Sequence, residues 1–414
     1  MNLIEKTEAN YFEKTGSIKK MAVSGWSENM WNVYKIPLDE LYYNDKNGRI
    51  NTVYKQYKAE HGALKPEVGD SEYNKIFEDF IYNSNKGASD ETLRSIEEKT
   101  QQEPGVVLLD GRVIDGNRRL TALRMIERKT GIKQTFDAIV LPLDFTTANN
   151  EKRIKELELE LQLGREERVA YDTIDRIFDV YNTIKVEKIM TTDEYKKASG
   201  AGNTKGINRD IRLAELMIKF IEIISPGGNP IDKFYLAREL KIDGPIEEIE
   251  GTINKLKSDK ESITDAALTY LAVTKAKDGT ADHTRLMRDV KNNVLKNDDI
   301  KKHFLEAVDD KVDDIIDAFE ENPIKGSNDL KAVIHSTPEL EQTAEKLSRS
   351  VERLSLKGER NSKRREGLEE LKDILERLEE LDSNDFKELT IDEFEEAKEI
   401  LQKIRDVAYK LRGK

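Results

Sequence analysis

Residues 113–122 read V-I-D-G-N-R-R-L-T-A, and this stretch decides the fold that we expect for the first third of the chain. An apolar strand ends at Ile114, and leucine spacing typical of a helix begins near Arg118. Gly116 lies in the junction, where the first N–H groups of the helix have no partner within the helix and where the helix dipole favours negative charge. The pattern therefore predicts a strand–turn–helix unit that binds an anion.

The polar residues of this junction suit phosphate. Gly116 lets the backbone approach a ligand closely, and Arg118 and Arg119 supply charge and paired donors. Thr121 adds a hydroxyl, and Asp115 can orient a metal ion or an arginine. The alternative is structural, because Asp-Gly is a common turn and two arginines are a common solvated start of a helix. The predicted phosphate-binding residues are Asp115, Gly116, Asn117, Arg118, Arg119 and Thr121.

Short strands and helices alternate on both sides of the junction. Apolar runs at residues 105–109 and 136–143 predict strands, and Asp110-Gly111 predicts a hairpin turn. Gly131 predicts the end of the helix that follows the junction. Farther out, residues 1–31 have weak periodicity and read as a lead-in arm, and Ser89-Asp90-Glu91 offers an N-cap to a short helix over residues 91–99.

Beyond residue 149 almost every apolar pattern is helical. Two stretches near the C-terminus, 366–381 and 394–411, carry matched apolar stripes and predict a helical hairpin that self-associates. The expected fold class is α+β, a small mixed N-terminal domain followed by helical domains. The expected domains are residues 1–148 with an N-terminal arm, residues 149–340, and the hairpin of residues 341–414.

The chain is acidic, and this disfavours general binding of nucleic acid. Its 414 residues carry a net charge of −13, whereas phosphate neutralisation drives non-specific binding. Two stretches are nevertheless basic. Residues 111–133 hold seven cations against two anions, a local charge of +5, and residues 196–219 hold six against two, a local charge of +4. Two specific anion sites are therefore expected.

Several classes of protein are excluded by composition. The chain has no cysteine, which rules out disulfides, thiolate metal sites and cysteine nucleophiles. No apolar run reaches about 18 residues, so no membrane span is expected. The first residues lack the pattern of a signal peptide, and we expect a cytoplasmic protein.

Residues 111–122 match the G-E-R-R-x-R-A box of the ParB/sulfiredoxin superfamily, with Asn117 in place of Glu and Thr121 in place of Arg. Residues 33–44, V-Y-K-I-P-L-D-E-L-Y-Y-N, resemble the opening strand and the I-P-L-x-x-I-x-x-N segment of that family. The order of predicted elements is similar as well. The resemblance extends over roughly residues 33–220.

Two weaker similarities flank the box. Residues 93–107 resemble the family's S-I-x-x-x-G-x-x-x-P-I-x-V stretch, and residues 158–171 resemble a degraded E-N-x-x-R segment. The sulfiredoxin branch needs a cysteine and the kinase branch a D-G-H-H-R box. This chain has neither, so the resemblance is to the nucleotide-binding branch.

The resemblance implies a nucleotide ligand. In the family the box holds a nucleoside triphosphate, CTP in the chromosome-partition members, and the following acidic segment helps to hold Mg²⁺. The implied cofactors are CTP or ATP with Mg²⁺, and Glu158 or Glu160 takes the role beside the metal. The candidate catalytic residues are Asp115, Glu158 and Glu160, although no spacing in the sequence is diagnostic of catalysis.

Residues 192–220 resemble the helix-turn-helix that partition proteins place after the box. In that interpretation the turn contains Gly200 and Gly202, and the DNA-binding residues are Lys205, Asn208, Arg209 and Arg212. The alternative is a plain helical hairpin, because the turn is longer and richer in glycine than usual.

Three classes of function stay open from the sequence. The first is a nucleotide-binding homodimer that acts on or regulates DNA in plasmid, phage or chromosome biology. The second is an NTPase or metal-dependent nuclease of a mobile element or a phage-defence system. The third is an interaction scaffold that has kept the fold without the nucleotide.

Overall fold

The computed structural model of the chain describes residues 2–23, 26–145, 148–163, 172–379, 381, 386 and 389–413. Within these residues the strands are β1 Glu13–Lys20, β2 Met30–Pro37, β3 Tyr42–Tyr43, β4 Gly105–Leu108, β5 Arg112–Asp115 and β6 Thr135–Leu141. The first six helices are α1 Leu3–Glu8, α2 Asn51–His61, α3 Ser71–Ser84, α4 Lys86–Lys99, α5 Asn117–Thr130 and α6 Ala148–Leu163.

All regular secondary structure in the rest of the described chain is helical. The helices are α7 Thr173–Tyr181, α8 Thr192–Ser199, α9 Lys205–Ile224, α10 Tyr235–Glu239, α11 Asp243–Ile253, α12 Lys260–Lys277, α13 His283–Asp289, α14 Asp298–Glu321, α15 Ser327–Ile334, α16 Pro338–Glu379 and α17 Ile391–Arg412. Three 3-10 turns at Leu38–Glu40, Gly48–Ile50 and Pro230–Lys233 and two π-helical turns at Asn182–Val186 and Val290–Leu295 complete the list. The α+β fold class expected from the sequence is confirmed.

The six strands form one mixed sheet in the order β1-β2-β6-β4-β5-β3. β2 pairs antiparallel with β1 and β6, and β4 pairs antiparallel with β5 through the expected turn at Gly111. β4 and β6 run parallel, as do β3 and β5. Because β4 and β6 are parallel, their carboxyl ends lie at the same end of the sheet. β5 is antiparallel to β4, so Gly116, which follows β5, lies at the opposite end.

Both faces of the sheet are covered by apolar side chains. One face packs around Phe136, Tyr43 and Leu120 with helices α2 to α5, and the other packs around Ile139 and Leu108 with α6. A separate core spans α7 to the first half of α16, and α9 contributes a large share of it, including Leu213, Met217 and Phe220. α9 is thus a central helix of the helical region, exposed mainly in its first turns.

The expectation that residues 1–31 form an arm is wrong. Leu3–Glu8 is a helix with an Asn2–Glu5 capping box, and Glu13–Lys20 is a strand that pairs with β2. β1 lies at the edge of the sheet and exposes most of its side chains. An edge strand with few buried positions carries little apolar alternation, so its sequence gives a weak signal.

The start of α4 also differs from the expectation. The helix begins at Lys86, and the side chain of Asn85 accepts a hydrogen bond from the backbone N–H of Ala88. Ser89-Asp90-Glu91, the segment expected to cap the helix, lies inside it, and the hydroxyl of Ser89 donates to the carbonyl of Tyr82 at 3.2 Å. A competing cap four residues upstream therefore starts the helix earlier.

The C-terminal segment consists of the two long helices α16 and α17. The first half of α16 is buried at Leu347, Val351 and Leu354, whereas its second half and the whole of α17 expose their apolar residues. Among the described residues, no helix is both long enough and apolar enough to cross a membrane.

Candidate functional site

The strand–turn–helix unit predicted from residues 113–122 is present. β5 ends at Asp115, Gly116 has φ +98° in the left-handed region, and α5 begins at Asn117. A Cβ atom added to Gly116 would lie 2.7 Å from Cζ of the buried Phe136. Both the backbone angle and the packing therefore require glycine here. The result is a free N-terminus of a 14-residue helix.

Six of the seven cations in the basic stretch 111–133 already have partners. Arg112 pairs with Asp45, Arg119 with Asp115 at 3.1 Å, Arg124 donates to the carbonyls of Leu38 and Leu41, Arg128 pairs with Glu78, Lys129 with Glu97 at 2.7 Å, and Lys133 with Glu127 at 3.1 Å. The seventh, Arg118, makes no hydrogen bond or ion pair with any residue that the structure describes. The partners Asp45, Glu78 and Glu97 lie outside the stretch and lower its apparent charge from +5 to +2, which leaves Arg124, bonded to two carbonyls, and Arg118 without a carboxylate.

Arg118 is half-buried, and its nearest charged influence is another arginine. Burial and, second, the positive charge of Arg49 lower the pKa of Arg118 to about 10. Two guanidinium groups that repel each other in a partly dry environment are unfavourable by themselves. An anion bound at Arg118 would offset the cost of its burial and the repulsion by Arg49, which makes Arg118 the centre of a candidate anion site with Arg49 as a neighbouring positive charge.

Sequence analysis did not single out Arg49. It lies in the 3-10 turn Gly48–Ile50, which is held by Asn47, since its side chain accepts a hydrogen bond from Arg49 N at 3.0 Å. The turn is 69 residues before Arg118 in the sequence, so only the fold brings the two together. The available signal was the short Asn-Gly-Arg sequence immediately before α2.

Three other predicted phosphate-binding residues, Arg119, Thr121 and Asn117, are engaged with the protein or buried beside Arg118. Arg119 donates from Nη1 to the carbonyl of Glu103 at 2.6 Å and from Nη2 to Asp115, and so joins the start of α5 to the strands. Thr121 is buried and shares a 2.9 Å hydrogen bond with the hydroxyl of Tyr43. Asn117 is buried as well, and its Oδ1 has no hydrogen-bond donor in the described structure.

The two predicted acidic residues of α6 have different surroundings. Glu158 is buried, accepts a hydrogen bond from Gly48 N at 3.1 Å and lies 3.4 Å from Nζ of Lys155, and burial raises its pKa. Glu160 is exposed, and its pKa is raised by partial desolvation and by Glu156. Only Glu158 contacts the turn that carries Arg49. Residues 164–171 of the acidic segment lie outside the described residues.

Lys155 links Glu158 to the helical region. Its Nζ is 2.6 Å from Oδ1 of Asp179 on α7, and Oδ2 of Asp179 accepts a hydrogen bond from Tyr195 on α8 at 3.2 Å. Burial acts to lower the pKa of Lys155, but the two carboxylates outweigh it and the pKa is raised. The ammonium therefore stays charged and holds α6, α7 and α8 together.

A cavity of about 220 Å³ lies beside the same turn. Its walls include Lys46, Asn51, Lys155 and Glu158 together with the rings of Tyr54, Phe145 and Phe178. Glu158 thus lines the cavity and also accepts a hydrogen bond from the turn at Gly48 N.

A second contact joins α2 to the helical region. The hydroxyl of Thr52 donates to Asp175 on α7, and Nη1 of Arg238 on α10 lies 3.1 Å from Oδ2 of Asp175. Burial raises the pKa of Asp175 to about 7, although Arg238 and Thr52 oppose the shift. Since α2 follows Arg49 directly, this contact connects the anion site with α7 and α10.

The predicted helix-turn-helix segment folds as two helices. A Thr191–Glu194 capping box starts α8, Gly200 ends it in the left-handed region, and α9 begins at Lys205. Lys205 and Asn208 are exposed on the first turn of α9. These observations agree with a helix-turn-helix and equally with a plain helical hairpin.

Two of the predicted DNA-binding arginines face carboxylates. Arg212 Nε donates to Oε1 of the buried Glu250 on α11, and Arg209 lies 3.8 Å from Oε2 of the same residue and 3.6 Å from Glu247. Their charge is therefore largely compensated by α11. Of the predicted DNA-binding set, Lys205 and Asn208 are the members without such a partner in the described structure.

Among the described residues, no three histidine or acidic side chains come together to hold a metal ion. Mg²⁺ does not need such a cluster, because it is commonly held by one or two carboxylates plus the phosphates of a nucleotide. Glu158, beside the turn of Arg49, is the carboxylate that fits this role.

The comparisons with known proteins are sparse. No family model matches the chain, and no curated protein matches it. A solved structure of a Pnob8-like ParB-N domain is similar to it at 12% sequence identity and a TM-score of 0.31. The aligned region covers 66% of this chain and 97% of that one.

Proposed function

We propose that this chain binds a nucleoside triphosphate, CTP or ATP, with its phosphates at the N-terminus of α5. The observation that carries the proposal is the half-buried Arg118, which has no partner among the described residues and lies beside a second arginine, Arg49. Folding does not favour a half-buried guanidinium without a partner of its own, such as Arg118, unless a ligand compensates its charge. The resemblance of residues 111–122 to a nucleotide-binding box supports the same assignment.

The proposed roles follow from the contacts. Gly116 leaves room for the phosphates, Arg118 and Arg49 bind them through charge-assisted hydrogen bonds, and the backbone N–H groups at the start of α5 add to them. The unsatisfied Oδ1 of Asn117 suits a hydroxyl or metal-bound water of the ligand. Arg119 and Thr121 act as positioning residues, since their polar groups are engaged with the protein.

Magnesium is the cofactor that the resemblance implies. Glu158 would hold it, and bound Mg²⁺ would neutralise part of the negative phosphate charge that Arg118 and Arg49 do not neutralise. Asp115 is the second candidate ligand, since it directly precedes Gly116 and, like Glu158 with Lys155, is paired with a cation, Arg119; Glu160 fits less well because it is exposed on α6.

We further propose that nucleotide binding regulates how the helical region contacts DNA. The turn Gly48–Ile50 contacts Glu158, and Thr52 contacts Asp175, so a ligand that moves Arg49 acts on α6 and α7 at once. The proposed DNA residues are Lys205 and Asn208, with Arg209 and Arg212 behind them. A second copy of the chain is the other proposed partner.

Hydrolysis is the second candidate activity, and the candidates for it are Asp115, Glu158 and Glu160. Of these, Asp115 directly precedes Gly116 and pairs with Arg119, and Glu158 contacts the turn of Arg49 and pairs with Lys155. No observation favours a nuclease. The scaffold alternative predicts that none of the four nucleoside triphosphates binds at all.

Isothermal titration calorimetry of the full chain with the four nucleoside triphosphates and Mg²⁺ tests the proposal. We expect one or more to bind, and R118A to lower the affinity at least tenfold, because a charge-assisted contact contributes about 1.5–3 kcal/mol. R94A removes an exposed arginine on α4 and serves as the matched control, with unchanged affinity. Full affinity in a folded R49A/R118A variant would contradict the proposal.

A further inference from the structure

α17 is an amphipathic helix whose apolar stripe is uncovered. Phe394, Ile400, Leu401, Ile404, Val407 and Leu411 are between 36% and 56% exposed, and the helix has no buried residue. Together with Ala397 and Ala408, these residues fall on one side of the helix at 100° per residue. Most of the stripe follows a heptad spacing, with 394, 401 and 408 alternating with 397, 404 and 411.

The order of side chains along this stripe is nearly the same in both directions. Read around a midpoint between residues 402 and 403, Phe394 corresponds to Leu411, Ala397 to Ala408, and Leu401 to Ile404. At these six positions large residues correspond to large and alanine to alanine, whereas Ile400 and Val407 correspond to Arg405 and Lys398. Such a stripe is complementary to a copy of itself turned end for end, which is what a two-fold interface requires.

The charges of α17 favour the same arrangement. Residues 391–399 hold five carboxylates and one lysine, a net charge of −4, and residues 400–412 hold four cations and one carboxylate, a net charge of +3. Antiparallel pairing places the acidic half of one copy against the basic half of the other. It sets Glu393 level with Arg412 of the second copy and Glu395 level with Lys410.

Packing against α16 of the same chain would oppose like charges. Residues 366–379 hold six carboxylates and two cations, a net charge of −4. In an antiparallel hairpin within one chain, this part of α16 lies level with the acidic half of α17. Like charges at the rim of an interface are unfavourable, and the second copy is therefore the better partner.

We propose that α17 pairs antiparallel with α17 of a second copy of this chain, with the two-fold axis at residues 402–403. The proposal deepens the self-association that the proposed function includes and does not depend on nucleotide binding.

The size of the surface sets the strength of the pairing. A helix of 22 residues is about 33 Å long and presents a stripe ~10 Å wide, so two copies of α17 bury on the order of 700 Å². Adding the exposed leucines of α16, Leu368, Leu371 and Leu375, brings this to roughly 1,000 Å², the lower end of specific interfaces. We expect a dimer that dissociates on dilution.

Cysteine cross-linking of the full chain tests the orientation, because the natural sequence has no cysteine. Residues 397 and 408 are 11 positions apart, about 16 Å along the helix, beyond the Cα–Cα reach of a disulfide of about 7 Å. Antiparallel pairing predicts that A397C and A408C cross-link when mixed and that neither does so alone. Cross-linking of A397C with itself would show parallel pairing and overturn the proposal.

Mass in solution over a concentration series tests the pairing itself. We expect a dimer, its loss in L401D/I404D, and its retention in the control Q402D, which changes an exposed residue outside the stripe. A monomer at every concentration would overturn the proposal, and so would a monomer that floats with lipid vesicles. Nucleotide affinity measured on the same variants separates this result from the proposed function, since α17 contains none of the phosphate-binding residues.

Discussion

The two basic stretches of this chain look alike in sequence and differ in the structure. At residues 111–133, five of seven cations pair with carboxylates, Arg124 donates to two carbonyls, and the seventh is the half-buried Arg118 beside Arg49. At residues 196–219, Arg209 and Arg212 are compensated by α11 and Lys219 by Asp265 at 3.1 Å, and Lys205 is exposed. The sum of charges is similar, but the first stretch has a half-buried arginine, Arg118, without a hydrogen-bond or ion-pair partner among the described residues.

The difference shows which charge indicates a site. An exposed lysine is hydrated, so leaving it without a partner costs the folded chain little. A half-buried arginine has lost part of its hydration, and its lowered pKa records that loss. A protein that keeps such a group offers a ligand a preformed partner. The proposed anion site at the first stretch therefore has a named residue at its centre, Arg118, whereas the proposed DNA contacts of the second stretch depend on exposed or carboxylate-paired residues.

The largest expected difference between the two regions is the loss of folding stability when Gly116 of the first or Gly200 of the second is replaced by alanine. G116A forces a non-glycine residue to φ +98° and against Phe136, which costs about 1–3 kcal/mol for the backbone and a similar amount for the overlap. G200A also changes a left-handed glycine, at φ +71°, but nothing lies within 4 Å of its added Cβ. It should cost about 1 kcal/mol.

Urea unfolding of both variants without nucleotide measures this difference. We expect the free energy of unfolding to fall more in G116A than in G200A, at an unchanged dependence on urea concentration. Equal losses would mean that the junction at Gly116 is no more constrained than the open turn at Gly200, and the anion site would lose its rigid support.

Much of the first region could be predicted because its signals are local. The strand before Asp115, the turn at Gly116 and the end of α5 at Gly131 each depend on neighbours within a few residues. Arg49 could not be assigned, since its position beside Arg118 depends on the sheet that joins them. The same limit explains the second region, where Glu250 compensates Arg212 from 38 residues away. A count of charges over a stretch of sequence cannot show which cations are paired, because their carboxylate partners come from distant parts of the chain.

The structure also connects the two regions through α7, and this connection should depend on pH. Asp175 contacts Thr52 and Arg238 on one side, while the adjacent Arg176 pairs with Asp210 of α9 at 2.8 Å. The pKa of Asp175 is about 7 in the folded chain and about 3.9 when unfolded. Between these values the folded state binds more protons, so this group's contribution to stability falls as pH rises from about 4 to about 7.

Measuring the free energy of unfolding of the wild type and of D175N over this pH range isolates the contribution of Asp175. The stability of the wild type relative to D175N should decline with pH by at most about 1.4 kcal/mol per pH unit. D193N, which changes an exposed aspartate on α8, should give a curve parallel to that of the wild type. A parallel curve for D175N as well would show that Asp175 titrates as it does in the unfolded chain.

The smallest expected effect concerns the salt dependence of DNA binding, and it tests compensation in the second region directly. Each free cation that contacts a phosphate adds about 0.9 to the slope of log affinity against log salt. Arg209 and Arg212 would account for about two units if they were free, as their sequence position alone suggests. Because Glu250 and Glu247 hold them, we expect R209A/R212A to lower the slope by less than one unit, and K205A by about one. Fluorescence anisotropy with a library-selected duplex, with and without nucleotide, measures both slopes. A loss of two units in R209A/R212A would mean that DNA draws these arginines away from α11, and the absence of any selected duplex would leave residues 192–220 as a plain helical hairpin.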